Sequence, residues 1–258
     1  MILLNAHTYS GAQIMSIPEV IQEQTNWCWA ACTKCILGYY NYSFSQCEIA
    51  EYTRSVSTSC NPNNYGSVNC CTNPNQGCNQ WNYNWGCPGS MQDILIHFGN
   101  ITTYSLGSTI TTAQIHVETA SNHPFLFRWG WYSGGGHFLV GYGISGSNIY
   151  YMNPLPGYGD EISNYNWVVD DGIHSWTHTQ TIKCDGISNI WKGGTNTNWT
   201  TGSNWSCGVV PTSTTTVYIY PSPPNNPMVN ANATVASLMV HSPSNLTLKT
   251  GFTLTVHP

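Results

Sequence analysis

Charged side chains are scarce in this chain. Only 7% of its 258 residues are Asp, Glu, Lys or Arg, against about a quarter in typical soluble proteins. The six basic residues and the formal net charge of −5 argue against binding to nucleic acid or to an acidic membrane, because both need clustered positive charge. Solubility must therefore rest on Asn, Thr, Ser and Gly.

Long apolar runs are missing as well. No stretch approaches the ~20 residues that a membrane-spanning helix needs, so we expect no membrane span. The sequence starts Met-Ile-Leu-Leu-Asn-Ala-His. This start has no basic region, and its apolar stretch is too short for a secretory signal peptide. If the protein is secreted, its signal peptide has already been removed from this sequence.

Cysteine, in contrast, is plentiful. The eleven cysteines stand at positions 28, 32, 35, 47, 60, 70, 71, 78, 87, 184 and 207. Nine of them fall between Cys28 and Cys87, in a region too rich in Asn, Pro and Gly to fold on apolar burial alone. Disulfides are the natural stabilisation of such a segment in an oxidising compartment. The sequence therefore predicts a disulfide-rich loop over residues 47–87 and a secreted, extracellular protein.

The odd number of cysteines fits one free thiol and five bridges. With Cys28 free, eight cysteines can pair within the cluster, and Cys184 can pair with Cys207 to clamp the tail, which would remove about 3 kcal/mol of unfolded-chain entropy. The adjacent Cys70 and Cys71 should find separate partners, because a bond between neighbours is strained. A zinc site in the cluster is the alternative, disfavoured because no Cys/His spacing repeats. We expect no metal and no other cofactor.

Three distant segments together carry the pattern of a thiol acyl-transfer site. Cys28 begins an apolar run typical of a helix, and Gln22 stands six positions before it. His137 follows two glycines in Gly-Gly-His-Phe-Leu-Val-Gly-Tyr-Gly, and Asn153 lies sixteen residues further on, before a proline. A thiol becomes a good nucleophile when it ionises, and both an imidazole beside it and a helix N-terminus beneath it favour the thiolate.

These segments resemble the motifs of papain-like cysteine peptidases. Gln22, five intervening residues and Cys28-Trp-Ala are similar to the Gln and Cys-Trp-Ala signature of that family. His137-x3-Gly-Tyr-Gly resembles the strand that carries the family's His, and Asn153 stands where the family places its orienting Asn. The surroundings resemble the compact bacterial branch, related to bacteriocin-leader peptidases and plant-pathogen effector proteases, which usually has Asp in place of this Asn. The resemblance covers roughly residues 18–180.

The resemblance implies a bacterial, thiol-dependent endopeptidase that acts on a peptide or protein substrate. Cys28 would attack the peptide carbonyl to form a thioester, and His137 would then protonate the leaving amine. Asn153 would hold the tautomer of the imidazole. Gln22 would donate a hydrogen bond to the oxyanion together with the backbone N–H of Cys28, and Gln24 is the alternative donor.

Four residues near the motifs are candidates for substrate binding. Trp27 and Trp29 flank the thiol and either wall a substrate groove or pack the start of the helix. Gly135 and Gly136 either let the substrate backbone approach closely or form a flexible turn. Four further histidines are predicted to be structural or exposed: His97, His116, His174 and His178.

The chain is predicted to contain three regions: an irregular lead-in over 1–17, a papain-like domain over 18–186 and an all-β module over 187–258. Helices are expected at 28–40, from 46, at 90–98 and from 112, and strands at 124–131, 137–144 and 148–153. This order predicts an α+β fold in which the N-terminal helix carrying the nucleophile faces, across a cleft, an antiparallel sheet carrying the His and Asn.

The C-terminal module shows an eight-residue spacing. Leu238, Leu246 and Leu254 recur at this interval within short alternating segments, which predicts stacked short strands or a meander. The sequence stops just after the last such strand, so we expect an open strand edge. Either more sequence follows in the full protein, or the edge pairs with a partner through self-association or cell-surface attachment.

Two other functions remain open at this point. The same Cys-His-Asn or Cys-His-Asp groups also run transglutaminase and side-chain deamidase chemistry, in which the acyl group is a Gln or Asn amide. A secreted structural or adhesive surface or fibre protein that keeps a peptidase-like domain would also show low charge, many disulfides and an open-ended repeat. The His137-x3-Gly-Tyr-Gly hairpin favours peptide hydrolysis over the amide chemistries, and the presence of Gln22, Cys28, His137 and Asn153 together argues against a purely structural protein.

Overall fold

The computed structural model describes residues 12–57, 63–99, 101–184, 188–219, 223–240 and 242–257, apart from the side chain of residue 184. The described residues form two compact units, which divide between Ile182 and Lys183. Within these residues, no helix has both the length and the apolar character needed to cross a membrane.

Five helices are present in the first unit, and they include the four that the sequence predicts. Their bounds are α1 Cys28–Tyr39, α2 Gln46–Val56, α3 Met91–Gly99, α4 Thr112–Ala120 and α5 Tyr165–Val169. Capping boxes begin two of them: Ser45 with Glu48 at α2, and Thr111 with Gln114 at α4. Helix α1 is buried along most of its length, as expected of a helix that is apolar on nearly every side.

Seven strands of the first unit form one sheet. They are β1 Gln13–Ile14, β2 Thr102–Leu106, β3 Phe125–Trp131, β4 Gly136–Ser145, β5 Asn148–Asn153, β6 Gly159–Asn164 and β7 His174–Cys184. The strand order is β2-β7-β3-β4-β5-β6, and β1 pairs with β4. The three predicted strands are confirmed to within one residue at each end. Strand β1 falls in the segment expected to be irregular, where Gln13 and Ile14 pair with the far end of β4.

Strand β4 is buried on both of its faces. Phe138 and Val140 belong to the apolar cluster around α1, whereas Leu139 belongs to a second cluster on the opposite face. Because successive side chains of a strand point to opposite faces, this double burial explains the continuous apolar run in the sequence. The helix therefore covers the sheet along the strand that carries His137.

Gly141 in β4 lies under the ring of Phe125, where a β-carbon would collide with the ring. The ring cannot move freely, since Phe127 and Trp176 pack against it. We expect Gly141→Ala to lower the free energy of unfolding by about 1–3 kcal/mol, as overpacking of a core does. Denaturant titration measures the effect, with Gly107→Ala as the control because nothing lies near that position. Equal losses in the two variants would contradict this packing.

The cysteine-rich loop is held by Cys47–Cys71 and Cys70–Cys78, which confirms that the adjacent Cys70 and Cys71 have separate partners. Cys87 and Cys207 are also disulfide-bonded. The predicted bridge from Cys207 to Cys184 involves a side chain outside the described part of the chain and stays a prediction.

The prediction that Cys28 is the single unpaired cysteine is wrong. Cys32 and Cys35 are free as well, and both are completely buried on the inner side of α1. Thiols at such positions behave as small apolar side chains, so they belong to the core and need no partner. The count of bridges deduced from the odd number of cysteines was therefore too high.

The second unit consists of short strands in parallel pairs. They are β8 Ser188–Ile190, β9 Thr216–Ile219, β10 Met228–Val229, β11 Ala233–Val235, β12 Ser237–Val240, β13 Thr247–Leu248 and β14 Leu254–Val256. Three small sheets result, ordered β8-β9-β12, β10-β13 and β11-β14. Strands β12, β13 and β14 thus lie beside β9, β10 and β11 as the next turn of the same three-sided path.

The parallel pairing confirms that the short strands are stacked. The number of residues between stacked strands, however, differs from the predicted eight. Leu238 pairs with Val217, and Leu254 pairs with Ala233, so the stacking interval on these two sides is 238 − 217 = 21 residues and not eight. On the third side, where Thr247 pairs with Met228, it is 247 − 228 = 19 residues. The eight-residue spacing separates successive sides of one turn. Leu238, Leu246 and Leu254 all pack inward against the same core of buried tryptophans and valines, which explains why the spacing is visible in the sequence. The predicted pairing of the last turn with a partner stays a prediction.

Candidate active site

The thiol of Cys28 lies at the first residue of α1. Burial raises its pKa, and hydrogen bonds from the backbone N–H groups of Phe138, Trp29 and Cys28 itself act in the opposite direction. Two of these donors belong to the start of α1, where free N–H groups favour an anion. Burial has the larger effect, so the pKa of the Cys28 thiol stays above its usual value and the resting thiol is protonated at neutral pH. The site stabilises the thiolate only in part.

His137 and Asn153 form a hydrogen-bonded pair at the start of β4 and the end of β5. The Nε2 atom of His137 lies 2.8 Å from Oδ1 of Asn153. The imidazole is only 4% exposed, and burial lowers its pKa to about 4 while the bond to Asn153 raises it. Because Oδ1 can only accept, Nε2 carries the proton and Nδ1 is the free base. The ring therefore has the tautomer that can take a proton from a thiol.

The Asn153 amide is oriented by its own contacts. Its Nδ2 donates to Oε2 of Glu161 at 3.3 Å, and its Oδ1 also accepts from the backbone N–H of Leu155 at 3.2 Å. These bonds keep the oxygen directed at His137. Glu161 was not expected at the site, and only the pairing of β5 with β6 brings it there.

The structure brings Cys28 to the strand that carries His137. The N–H of Phe138, the residue that follows His137, lies close enough to the Cys28 sulfur to lower the pKa of its thiol. Gly136 and Phe138 line the cavity that contains Cys28. The His137 ring is buried beside Trp131 and Trp129 and lies outside the lining.

Gln22 has a different role from the one expected of an oxyanion donor. Its Nε2 donates to the carbonyl oxygens of Gln24 and Thr25, each at 2.9 Å. Its backbone N–H donates to the carbonyl of Pro154 at 2.8 Å, which ties the loop before Cys28 to the segment after Asn153. Both amide hydrogens of Gln22 are thus used within the loop, and donation to an oxyanion would require release of one of them. The alternative donor Gln24 contributes its carbonyl to the same bonds.

A cavity of about 520 Å³ opens at Cys28. Its lining combines the start of α1, the glycines before His137, strands β3 and β7, and part of the disulfide-rich loop. The lining residues are Asn26, Cys28, Trp29, Trp81, Asn82, Tyr83, Asn84, Arg128, Gly135, Gly136, Phe138 and His178. Three of the four candidate substrate-binding residues, Trp29, Gly135 and Gly136, are among them.

Trp27 is not part of this lining, which corrects its expected place in a substrate groove. Its side chain is 1% exposed, and its indole N–H donates to the carbonyl of Cys78 at 2.8 Å. The indole of Trp29 likewise donates to the carbonyl of Gln80 at 2.9 Å. Both tryptophans anchor the disulfide-rich loop against the start of α1, because a buried indole N–H needs an acceptor.

Sequence reasoning missed several residues of the cavity, and one of them is His178, which was expected to be structural or exposed. It lines the cavity, and burial together with the charge of Arg128 lowers its pKa. Arg128 is the single basic residue between Arg54 and Lys183, and it interrupts the apolar run Phe-Leu-Phe-Arg-Trp. Since an isolated charge in a buried strand is uncommon, this interruption was a usable signal.

One group of potential metal ligands occurs among the described residues: Glu51, Cys70 and Cys78. The two sulfurs are bonded to each other and so are not thiolates. The Glu51 carboxylate accepts from the N–H of Cys70 and binds Arg54. These residues therefore do not fit a zinc site.

The fold and the site define a papain-like cysteine peptidase. Residues 14–184 match the model of the Peptidase_C39 like family. This match covers well over half of the chain, and the protein belongs to that family. Residues 190–258 match a domain of unknown function, DUF8693. None of the curated proteins matches the chain significantly.

Several solved structures are similar to this chain. The peptidase domain of Streptococcus ComA, a bi-functional ABC transporter, is 14% identical with a TM-score of 0.43, over 63% of this chain and 94% of that one. A putative C39-like peptidase from Bacillus anthracis is 14% identical with a TM-score of 0.41, over 67% and 98%. The Pseudomonas avirulence protein AvrPphB is 9% identical with a TM-score of 0.34, over 65% and 95%.

Proposed function

We propose that this peptidase is a secreted endopeptidase that acts through Cys28, His137 and Asn153. The observation that carries the proposal is the 2.8 Å bond between His137 and Asn153, combined with the placement of the Cys28 thiol at the neighbouring N–H of Phe138. This arrangement supplies a nucleophile, a base with its free nitrogen on Nδ1, and a group that fixes the base.

In the proposed reaction, Nδ1 of His137 takes the thiol proton while the Cys28 sulfur bonds to the carbonyl carbon of the substrate. Collapse of the tetrahedral intermediate breaks the C–N bond, and the imidazolium gives its proton to the leaving amine. Water, deprotonated by the same imidazole, then hydrolyses the thioester. Because burial favours the neutral forms of both groups, proton transfer accompanies the attack and does not precede it.

Asn153 supports this reaction by fixing the orientation of the His137 imidazole. An amide oxygen accepts the Nε2–H bond in both protonation states of the ring, but it carries no full charge. The oxyanion is expected to receive the backbone N–H of Cys28 and, once its loop bond is released, Nε2 of Gln22. Donors of this kind typically contribute about 3 kcal/mol each.

Secretion is part of the proposal and is supported by the disulfides of the loop. Cys47–Cys71 and Cys70–Cys78 close a segment that is rich in Asn, Pro and Gly. Such bridges persist in oxidising compartments. Finding the protein in the culture medium of a producing cell, with these bridges formed, is the expected result; exclusive recovery from the cytosol with reduced cysteines would contradict it.

The peptidase and deamidase functions differ in their products. Incubation with an unfolded protein substrate, followed by mass spectrometry, is expected to give fragments with new termini. Intact substrate in which Gln or Asn amides have become acids would instead assign the deamidase chemistry, and crosslinked products would assign transglutaminase chemistry.

Labelling of the native protein with iodoacetamide separates an enzyme from a structural protein that keeps the fold. We expect a single label on Cys28, because Cys32 and Cys35 are free but fully buried. Unfolding without reduction should expose all three thiols, and the native Cys28→Ala variant should take no label. A native protein whose Cys28 does not react even at alkaline pH, where the thiol ionises, would favour the structural alternative.

A further inference from the structure

We propose that Arg128 makes the cavity beside Cys28 a binding site for an acidic side chain of the substrate, so that cleavage occurs next to Asp or Glu. This inference rests on the proposed peptidase function and names its substrate class. It depends on the position of Arg128, on the lack of a carboxylate partner for its charge among the described residues, and on the neutral character of the surrounding wall.

The position of Arg128 follows from the register of the sheet. In β3 it stands opposite Phe138 of β4 and His178 of β7. Phe138 is the residue whose N–H contacts the Cys28 sulfur, and all four residues line the same cavity. The guanidinium is therefore placed beside the nucleophile, within reach of a residue that flanks the bond being cleaved.

Among the described residues, the hydrogen-bond acceptors of the Arg128 guanidinium are neutral, and its charge otherwise favours the thiolate of Cys28. Its guanidinium donates to Oγ1 of Thr177 at 3.1 Å and to the carbonyl of Gly135 at 2.7 Å. The ion pairs within the described parts of the chain do not include it. An Arg has five N–H donors in a planar fork that suits a carboxylate, so donors remain after these two bonds. Partial burial makes an unpaired cation costly, which favours an anionic ligand.

Gly136, the glycine directly before His137, makes room for this side chain. A β-carbon at Gly136 would collide with the Arg128 guanidinium, so the arginine lies flat against β4 at this position. A β-carbon at Gly135 would not meet Arg128. A larger residue at position 136 would displace the guanidinium from the cavity.

The remaining wall is neutral. Apart from the titratable Cys28 and His178, the described lining consists of aromatic rings, glycines and the amides of Asn26, Asn82 and Asn84. Nδ2 of Asn26 donates to the carbonyl of Asn79 at 3.0 Å and Nδ2 of Asn82 donates to the carbonyl of Gly89 at 2.7 Å, so these amides add no charge of their own. A basic substrate side chain would meet the like charge of Arg128. The cavity therefore favours an acidic substrate side chain, which Arg128 attracts, over a basic one, which Arg128 repels.

The test compares matched peptides that carry Glu or Gln at each position next to the cleavage site. Both peptide ends are blocked, so that a side chain is the only source of a carboxylate. At one position, kcat/KM should be about 10- to 100-fold higher for Glu than for Gln, the range of a charge-assisted hydrogen bond. In Arg128→Gln this ratio should fall towards one, and in Arg128→Lys part of it should remain.

Lys34→Gln is the matched control, because Lys34 is a cation of α1 that pairs with Glu23 outside the cavity. Its Glu/Gln ratio should equal that of the wild type. A purely structural role of Arg128 would lower kcat/KM for both peptides equally and leave the ratio intact, and that result would overturn the proposal. So would equal cleavage of the two peptides by the wild type, or a preference confined to peptides with a free C-terminus.

A measurement of peptide binding tests the specificity site independently of catalysis. Cys28→Ala protein should bind the Glu peptide more tightly than the Gln peptide, and the Cys28→Ala/Arg128→Gln double variant should not discriminate. If the wild type cleaves neither peptide nor any unfolded protein, the proposed peptidase function fails, whereas the specificity site is still judged by this binding difference. Equal binding of both peptides would overturn the specificity site alone.

Discussion

Cys28→Ala is expected to lower kcat/KM for peptide hydrolysis by about four orders of magnitude or more. Loss of the nucleophile leaves only substrate binding and oxyanion stabilisation, which account for a small part of the rate enhancement in related triads. The residue lies at the start of α1 and is only partly buried, so the fold should remain. Initial rates on an internally quenched peptide measure the loss, and thermal unfolding verifies the fold.

Cys32→Ala provides the matched control, because Cys32 is another free thiol of the same helix, one turn further on, and is fully buried. It should keep activity within a few-fold of the wild type while losing some stability, as a small cavity in a core does. Activity that survives in Cys28→Ala and disappears in Cys32→Ala would show that the nucleophile has been assigned to the wrong cysteine.

The secondary structure around the site was predictable because its signals are local. The apolar run after Cys28 is long enough for a buried helix, and α1 begins at that residue. The three central strands are separated by glycine-rich turns, and their ends differ from the prediction by one residue at most. Periodicity and turn residues act within a few positions of the chain, and a single sequence contains both.

The wall of the cavity was not predictable in the same way. Trp81 to Asn84 belong to a polar loop without periodicity, and their place depends on disulfides and on the bonds from Trp27 and Trp29 to carbonyls of that loop. Arg128 and His178 meet because β7 pairs with β3 from fifty residues away. Such contacts follow from the topology of the sheet, which no local pattern specifies.

The free thiols and the C-terminal repeat show a related limit. Counting cysteines cannot distinguish a bridged residue from one buried in a helix, as Cys32 and Cys35 are. The leucine spacing in the tail correctly indicated short strands facing a common core, but an interval between inward-facing residues is not an interval between stacked strands. In both cases the sequence contains the residue pattern but does not show which cysteines form bridges or which strands pair.

Acid is expected to destabilise the protein through His137. Its pKa is about 4 in the folded protein and about 6.5 in an unfolded chain. As the pH falls below 6.5, this histidine is protonated in the unfolded chain but stays neutral in the folded protein. The equilibrium therefore shifts towards unfolding. The contribution of this residue is complete above pH 6.5 and is lost progressively on the way to pH 4. The free energy of unfolding is expected to fall by about 3 kcal/mol by pH 4 through this residue.

Denaturant titrations at pH 7 and pH 4 measure this loss, and His137→Gln isolates it from the titration of other groups. The variant keeps a polar side chain of similar size but has no proton to gain, so its stability should depend less on pH by about 3 kcal/mol over this range. Wild type and variant with equal pH dependence would contradict the neutral, buried state of the imidazole.

Asn153→Asp tests the same group through its partner. A carboxylate in place of the amide would stabilise the imidazolium and raise the pKa of His137, so the acid-induced loss of stability should become smaller. The acid limb of kcat/KM should move to higher pH for the same reason, since the ring must be neutral to accept the thiol proton. Both shifts are expected, because His137 contributes to stability and to activity. The new carboxylate lies beside Glu161, so Asn153→Asp in the His137→Gln background is the control for the titration of that carboxylate pair. If the activity limb moves while the stability profile stays unchanged, a group other than His137 is the base.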